Sequence, residues 1–289
     1  MDLALESVVR PQTLDQALAV LKGVAGARVI AGGTDLVVQL RDGRRVADVL
    51  VDVSALPLAG ITECRDGLDI GALTTMDEIA RSEVVAAHWP ALAVAAAQVG
   101  AWPIQCRATL GGNLANASPA ADTAPALLVE GAVVRLRSSD GAREVPVDTF
   151  FVAPGRSAVR GGELITSVFV PQPRAPAEGR IVERFVKVGP RREQIISMVS
   201  LAGQAVVAAD GRVERVRLAL GSVAPTPVRA RRAEGALTGH VIDESVRRKT
   251  LVAAQADIAP IDDVRAPARY RRLAIATLLD RFLTEVAHV

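Results

Sequence analysis

The stretch "ARVIAGGTDLVVQLRDG" (27–43) decides how this chain is read. Its first four residues form a short apolar run that predicts a strand, and 35–43 predicts a short helix, with Gly32 and Gly33 between them. "VADVLVDVS" (46–54) follows; it alternates and is β-branched, so it predicts a further strand. The order is strand, glycine turn, helix, strand. A glycine pair in that place either only turns the chain or brings bare backbone up to a ligand. Glycine accepts φ > 0 and has no Cβ to keep a neighbour away.

Upstream, "TLDQALAVLKG" (13–23) predicts an amphipathic helix with a Thr13/Gln16 capping box and Gly23 as its stop. Downstream, "GLDIGA" (67–72) predicts a strand. "TMDE" (75–78) is a second capping box that opens a helix through "EIARSEVVAAH" (78–88), and Pro90 starts another, closed by Gly100. "PIQCRATLGGNLANASPAADTAP" (103–125) is the longest stretch that reads as neither helix nor strand. It contains a second glycine pair, Gly111-Gly112, followed by Asn113. "GAVVRLRSSDGAREVPV" (131–147) predicts a hairpin around Asp140-Gly141, and "ELITSVFV" (163–170) a strand.

Three prolines and a glycine in "PQPRAPAEGR" (171–180) mark a boundary. Beyond it strands are expected near 181–188, 198–208 and 212–221, then helices near 228–236, 243–256 and 269–286. The expectation is an α+β chain in two parts. The first covers 1–173, subdivided at about 56/57, and the second covers 178–289.

Composition removes several functional classes. With 34 basic and 32 acidic residues the net charge is +2, which gives no broad field for a nucleic acid. "RARR" (229–232) and "RYRR" (269–272) are expected to be solvated helix faces. Charges at Asp2, Glu6 and Arg10 interrupt any leader-like pattern, and "PALAVAAA" (90–97) is far short of the ~20 residues of a membrane span. A cytoplasmic chain without a span is expected. Cys64 and Cys106 are the only cysteines, and His88, His240 and His288 are scattered. Four thiolates for an iron–sulfur cluster cannot be assembled from them, and no metal-ligand spacing exists.

Glycine-rich backbone suits a diphosphate, which needs several N–H donors at once. Asn113 and Asn116 donate and accept, Ser118 is expected to cap a helix beginning at Pro119, and Asp122 is a candidate acceptor for ribose or ribityl hydroxyls. From the residues alone, a dinucleotide site between two glycine loops competes with two ordinary turns and a capped helix.

Together, "VIAGGTDLVVQLRDG" (29–43) and "TLGGNLANASPAADTAPALL" (109–128) resemble the flavin-binding medium subunit of the xanthine dehydrogenase and carbon monoxide dehydrogenase family of molybdenum hydroxylases. "FVKVGPRREQIISMVSLA" (185–202) is similar to the family's Lys-x-x-x-Arg-Arg segment, and "YRRLAIATLL" (270–279) to its closing helix. The resemblance implies a two-part FAD-binding domain of the PCMH/vanillyl-alcohol-oxidase type. A smaller α+β domain with a three-stranded antiparallel sheet would follow it. It puts the FAD pyrophosphate against the backbone of Ala31, Gly32, Gly33, Thr34, Asp35 and Leu36 and against the stretch Thr109 to Asn113, which holds Gly111 and Gly112, with Ile30 also among the cofactor-binding residues. Ser118 and Asp122 fall where the family contacts the ribityl and phosphate portion, and Lys187 where a lysine lies near the isoalloxazine ring. The family often reads Ile-Arg-Asn before its second loop, whereas this chain has Ile104-Gln105-Cys106, with Cys106 expected as a small buried filler.

The implied function is electron transfer within a complex. A large partner would carry molybdopterin, a small one two [2Fe–2S] clusters, and the FAD of this chain would deliver electrons to NAD, a quinone or oxygen. The implied assembly is a dimer of heterotrimers. The "ASP" and "DTAP" elements lean towards the xanthine dehydrogenase branch. A self-contained flavin oxidase and a binding module without FAD are the alternatives, the first disfavoured by only ~110 residues beyond the boundary.

Overall fold

Three sheets, laid down one after another along the chain, organise the molecule. The computed structural model describes residues 5–174, 179–191 and 194–288. In the first layer β1 (Ser7–Val9), α1 (Leu14–Gly23), β2 (Ala27–Ile30), α2 (Leu36–Arg41) and β3 (Val49–Asp52) follow in order. The sheet order is β1-β3-β2, with both pairings parallel. β3 is the central strand and is buried along its length, which its continuous "VLVD" run requires.

The second layer opens with β4 (Ile61–Cys64) and β5 (Gly67–Gly71). The helices α3 (Met76–Arg81), α4 (Glu83–His88), α5 (Pro90–Ala97), α6 (Trp102–Gln105), α7 (Leu110–Asn116) and α8 (Thr123–Glu130) follow. Then come β6 (Val133–Ser138), β7 (Gly141–Pro146), α9 (Val147–Phe150), β8 (Phe151–Ala153), β9 (Arg156–Ser157) and β10 (Leu164–Pro171). Its main sheet is antiparallel, in the order β4-β5-β10-β6-β7.

The third layer holds β11 (Gly179–Val188), β12 (Val199–Ala208), β13 (Val213–Gly221), β14 (Val228–Arg229), α10 (Arg231–Leu237), α11 (Glu244–Ala256) and α12 (Ala268–His288). Its strands are antiparallel in chain order. Four strands stand where three were expected, because the short β14 adds to the edge of β13. The apolar face of α12 (Ile275, Leu278, Leu279, Phe282, Leu283, Val286) packs into the core of this sheet.

α8 is the piece that joins the second and third layers. Its sequence, TAPALLVE, is apolar on every side, and all eight residues are buried. Phe185, Ala202 and Ala219 of the third sheet share one hydrophobic cluster with Ala126 to Val129 of α8 and with the sheet and helices of the second layer.

Several local expectations are corrected. The 103–125 segment is largely helical: α6, α7 and the start of α8 lie in it. Gly111 and Gly112 therefore sit in the first turn of a helix, not in a loop. The helix expected over 75–88 breaks at Ser82, whose extended backbone ends α3 and whose hydroxyl caps α4. α1 runs through Gly23 and ends at Val24, with the left-handed turn at Gly26. α5 ends at Ala97, three residues before Gly100. In the boundary segment Pro171 ends β10 and Gly179 opens β11, while Pro176 lies outside the described residues. The Arg-rich spots are not uniformly solvated. Arg271 is buried against Asp263 and the Ser222 carbonyl, and Arg229 is paired with Glu234.

Candidate functional site: a cleft between three sheets

A cleft of about 1590 Å³ runs where the three layers meet. The end of β2 and the glycine turn, the first turn of α7, the segment before α8, residues 155–165 and residues 194–196 all line it. Every residue expected at the site lines this cleft except Lys187, which faces an adjoining pocket of about 650 Å³ beside Gln98, Trp102 and Arg191.

The first glycine pair is a true turn. Gly33 has φ +72°, a left-handed conformation that disfavours side chains. Gly32 is needed for a different reason: a Cβ there would overlap the carbonyl of Arg107, where the chain passes backbone against backbone. The N–H groups of Gly32, Gly33, Thr34, Asp35 and Leu36 find no backbone or side-chain acceptor among the described residues. A run of unused donors along a cleft wall is a nest for an anion.

The second pair is built otherwise. Thr109 caps α7, and its Oγ1 accepts from the Gly112 N–H at 3.2 Å. The Leu110 and Gly111 amides already donate to the Thr74 and Ala72 carbonyls, at 3.0 and 2.8 Å. Gly111 lets α7 lie against the residue just past β5, since an added Cβ would come within 2.8 Å of the Ala72 Cβ. Gly112 is exposed in the cleft and offers bare surface rather than free donors. Asn113 Oδ1 accepts from Thr123 Oγ1 at 2.8 Å, which ties α7 to α8. Ser118 caps no helix at Pro119. α8 begins at Thr123, and the Ser118 hydroxyl accepts from the Ala120 N–H at 3.2 Å.

Asp122 precedes α8 but makes no capping bond. Its Oδ2 instead receives Lys187 Nζ at 2.6 Å, and Nζ also donates to the Gln98 carbonyl at 2.9 Å. The two side chains are only 8 % and 3 % exposed, so Lys187 is not a solvated strand lysine. Burial pushes the Asp122 carboxyl up to about 6, with the Lys187 ammonium opposing it. Asp122 Oδ1 is buried without a partner among the described residues, an acceptor at the cleft with unused capacity.

A polar chain that the sequence reading only touched joins the first two layers under the cleft. Gln39 Nε2 donates to Asn116 Oδ1 (2.9 Å), Asn116 Nδ2 to Asp35 Oδ2 (3.0 Å), and Arg45 Nε to Gln39 Oε1 (2.6 Å). Gln39 is four residues beyond Asp35 and so shares its face of α2; that spacing was the available signal. No periodicity announced Ile195 and Ile196, which reach the cleft from the third layer. Gln105 is used locally, donating to the Ala97 carbonyl at 2.7 Å, and Cys106 is half-buried. Arg192 of the Lys-x-x-x-Arg-Arg segment lies outside the described residues.

Among the described residues no group of three or more His, Cys, Asp or Glu is placed to hold a metal ion, and no helix is long and apolar enough to cross a membrane.

Family comparisons bear on the same cleft. Residues 3–173 match the model of the FAD binding domain in molybdopterin dehydrogenase, and 184–286 that of the CO dehydrogenase flavoprotein C-terminal domain. The xanthine dehydrogenase FAD-binding subunit of Escherichia coli O157:H7 is 30% identical over 96% of this chain and 94% of its own. The carbon monoxide dehydrogenase medium chain of Afipia carboxidovorans is 29% identical over 94% and 93%, so identity does not separate the two branches. The solved carbon monoxide dehydrogenase of Hydrogenophaga pseudoflava superposes with a TM-score of 0.92 at 27% identity, covering 98% of each chain. Matched along nearly its whole length, with an unused row of amide donors and an orphan carboxylate oxygen in one long cleft, the chain belongs to the FAD-binding medium subunits of the molybdenum hydroxylase family.

Proposed function

We propose that this chain holds FAD in the cleft and serves as the electron-transfer subunit of a molybdenum hydroxylase complex. One observation carries the reading: five consecutive residues with unused amide donors, Gly32 to Leu36, line the same cleft as Asp122, whose partner Lys187 faces the adjoining pocket. The donors suit a diphosphate, and each charge-assisted bond is worth about 1.5–3 kcal/mol net. The unpartnered Asp122 Oδ1 suits a ribityl or ribose hydroxyl, and the bare Gly112 allows close approach. Lys187, fixed by Asp122 and the Gln98 carbonyl, supplies positive charge at that end. FAD, when bound, exchanges electrons one or two at a time.

In this proposal residues 1–173 form the FAD-holding part, with subdomains about 1–56 and 57–173, and 178–289 a closing domain. Electrons would come from a small [2Fe–2S] partner supplied by a large molybdopterin partner, and leave to NAD, a quinone or oxygen. Two cysteines cannot ligate such a cluster, so it belongs on another chain. A relative named as a medium chain is itself one of several. The dimer of heterotrimers is part of the same proposal.

The isolated chain loaded with FAD should be bleached by dithionite yet be inert toward purines, aldehydes and carbon monoxide. Steady turnover of any of these by the chain alone would overturn the subunit reading. Gentle pull-down from the native host should recover a small cysteine-rich protein and a much larger one.

A further inference from the structure

α8 is gripped at both ends by one strand. Asp122, just before its first residue, pairs with Lys187, and Glu130, its last, meets Glu183. Eight helical residues advance about 12 Å, and the four strand residues from 183 to 187 span about 13 Å. The two grips therefore fall in register, with α8 antiparallel to β11.

They differ in kind. At the second grip Gln204 Nε2 of β12 lies 2.9 Å from both Glu130 carboxyl oxygens and 3.2 Å from Glu183 Oε2. The Ala91 N–H of α5 donates to Glu183 Oε1 at 2.8 Å. Glu130, Glu183 and Gln204 are 3 %, 5 % and 2 % exposed. Neither carboxyl forms a salt bridge among the described residues. Arg217 of β13 stands nearest, but its Nη1 donates to the Val129 carbonyl. Arg229 on β14, Arg215 on β13, Glu130 itself and Glu234 on α10 act on Arg217, with Arg229 tied to Glu234. On β11, Lys187 is held by Asp122 and Arg184 by Glu285, and Asp148 of α9 is held by Arg231. α5 and β12 contribute no charged side chain. Two adjacent carboxylates that dry, with no cation bonded to either and only the charge of Arg217 opposing from nearby, cannot both stay ionised.

We propose that Glu130 and Glu183 hold one shared proton across the seam between α8 and the third sheet, and that this proton latches the third layer onto the rest of the molecule. Burial, and then the charge of Glu183, push the Glu130 carboxyl up to about 9. Its folded value thus lies above the unfolded one of about 4.5. The stability it contributes is complete below that lower value and is lost by the time the pH has passed about 9. Opening the seam would free β11, and with it Lys187 and the 194–196 wall of the cleft.

The test uses the full chain without flavin, so it stands apart from the FAD reading. Between pH 7 and 9, above the range of Asp122, the wild-type thermal midpoint should fall by roughly 3–10 °C. Glu130→Gln keeps a donor toward Glu183 but cannot ionise, and should remove most of that fall. A fall of wild-type size in Glu130→Gln would overturn the latch. Should that variant not fold, infrared spectra of the wild type decide. A carboxylic-acid carbonyl band present at pH 7.5 and absent at pH 10 supports the shared proton, and no such band at pH 7.5 overturns it.

Discussion

The two glycine pairs look alike in the sequence, each following an apolar run and each followed by polar residues. Folded, they do different physical work. Gly32-Gly33 turns the chain through a left-handed residue, crosses the Arg107 backbone without room for a Cβ, and leaves a row of amides unused. Gly111-Gly112 opens a regular helix with its first amides already bonded to Thr74, Ala72 and Thr109. One pair offers donors; the other offers close packing on one side and an open surface on the other. A glycine pair is thus a statement about missing Cβ atoms, and only the neighbours reveal what the space is for.

Single alanines separate these roles, and the largest effect should come at Gly32. Its Cβ would collide with backbone, which has no rotamer to yield, so Gly32→Ala should cost at least the ~1–3 kcal/mol of an overpacked site. It should also displace the amide row. The expected result is a lowered thermal midpoint together with loss of FAD; wild-type FAD content would show that the crossing with Arg107 is not required.

Gly33→Ala should cost about 1–2 kcal/mol, the penalty for a left-handed alanine. Because the strained residue lies within the amide row, FAD affinity measured by fluorescence titration should fall along with stability. A drop in stability with unchanged affinity would separate the turn from the ligand.

The second pair should respond more weakly and unequally. Gly111→Ala presses on Ala72 and should destabilise moderately. Gly112→Ala meets only the Thr109 hydroxyl, at 2.9 Å, and gains up to ~1 kcal/mol of helix propensity. Its midpoint should stay within a few degrees of wild type while FAD binds more weakly, since the methyl group occupies the cleft side of α7. A Gly112→Ala chain as destabilised as Gly32→Ala would erase the contrast between the pairs.

The titration of Asp122 gives the smallest effect. Asp122 sits at about 6 in the fold, above its ordinary 3.8. Its protonated form is favoured on folding, so the stability linked to it is complete below the ordinary value and lost as pH rises through about 6. Asp122→Asn should lessen the slope of the thermal midpoint between pH 4 and 6.5, leaving the part due to Glu130, and an unchanged slope would assign that titration to another group.

Much of this molecule was legible before its fold. Both Thr capping boxes form as the sequence spacing predicts, because the contacts lie within one helical turn. The Asp140-Gly141 hairpin was likewise set by local turn chemistry. The helicity of 103–125 was not legible. α7 is held by Thr74, Ala72 and Thr123, and the last turn of α8 by a partner more than seventy residues away, so its glycines and prolines were outvoted by tertiary contacts. Ser118 failed as a cap for the same reason, with the helix start set by burial at Thr123.

The sequence by itself determined the Thr capping boxes, the two glycine pairs and the lack of four thiolates, for these are matters of spacing and residue type. Tertiary structure alone decided that Gly32 needs its bare α-carbon against Arg107, that Lys187 is buried on Asp122, and that Glu130 meets Glu183. Each depends on segments remote in sequence coming into contact, and on the loss of water that makes a charge seek a partner or a proton.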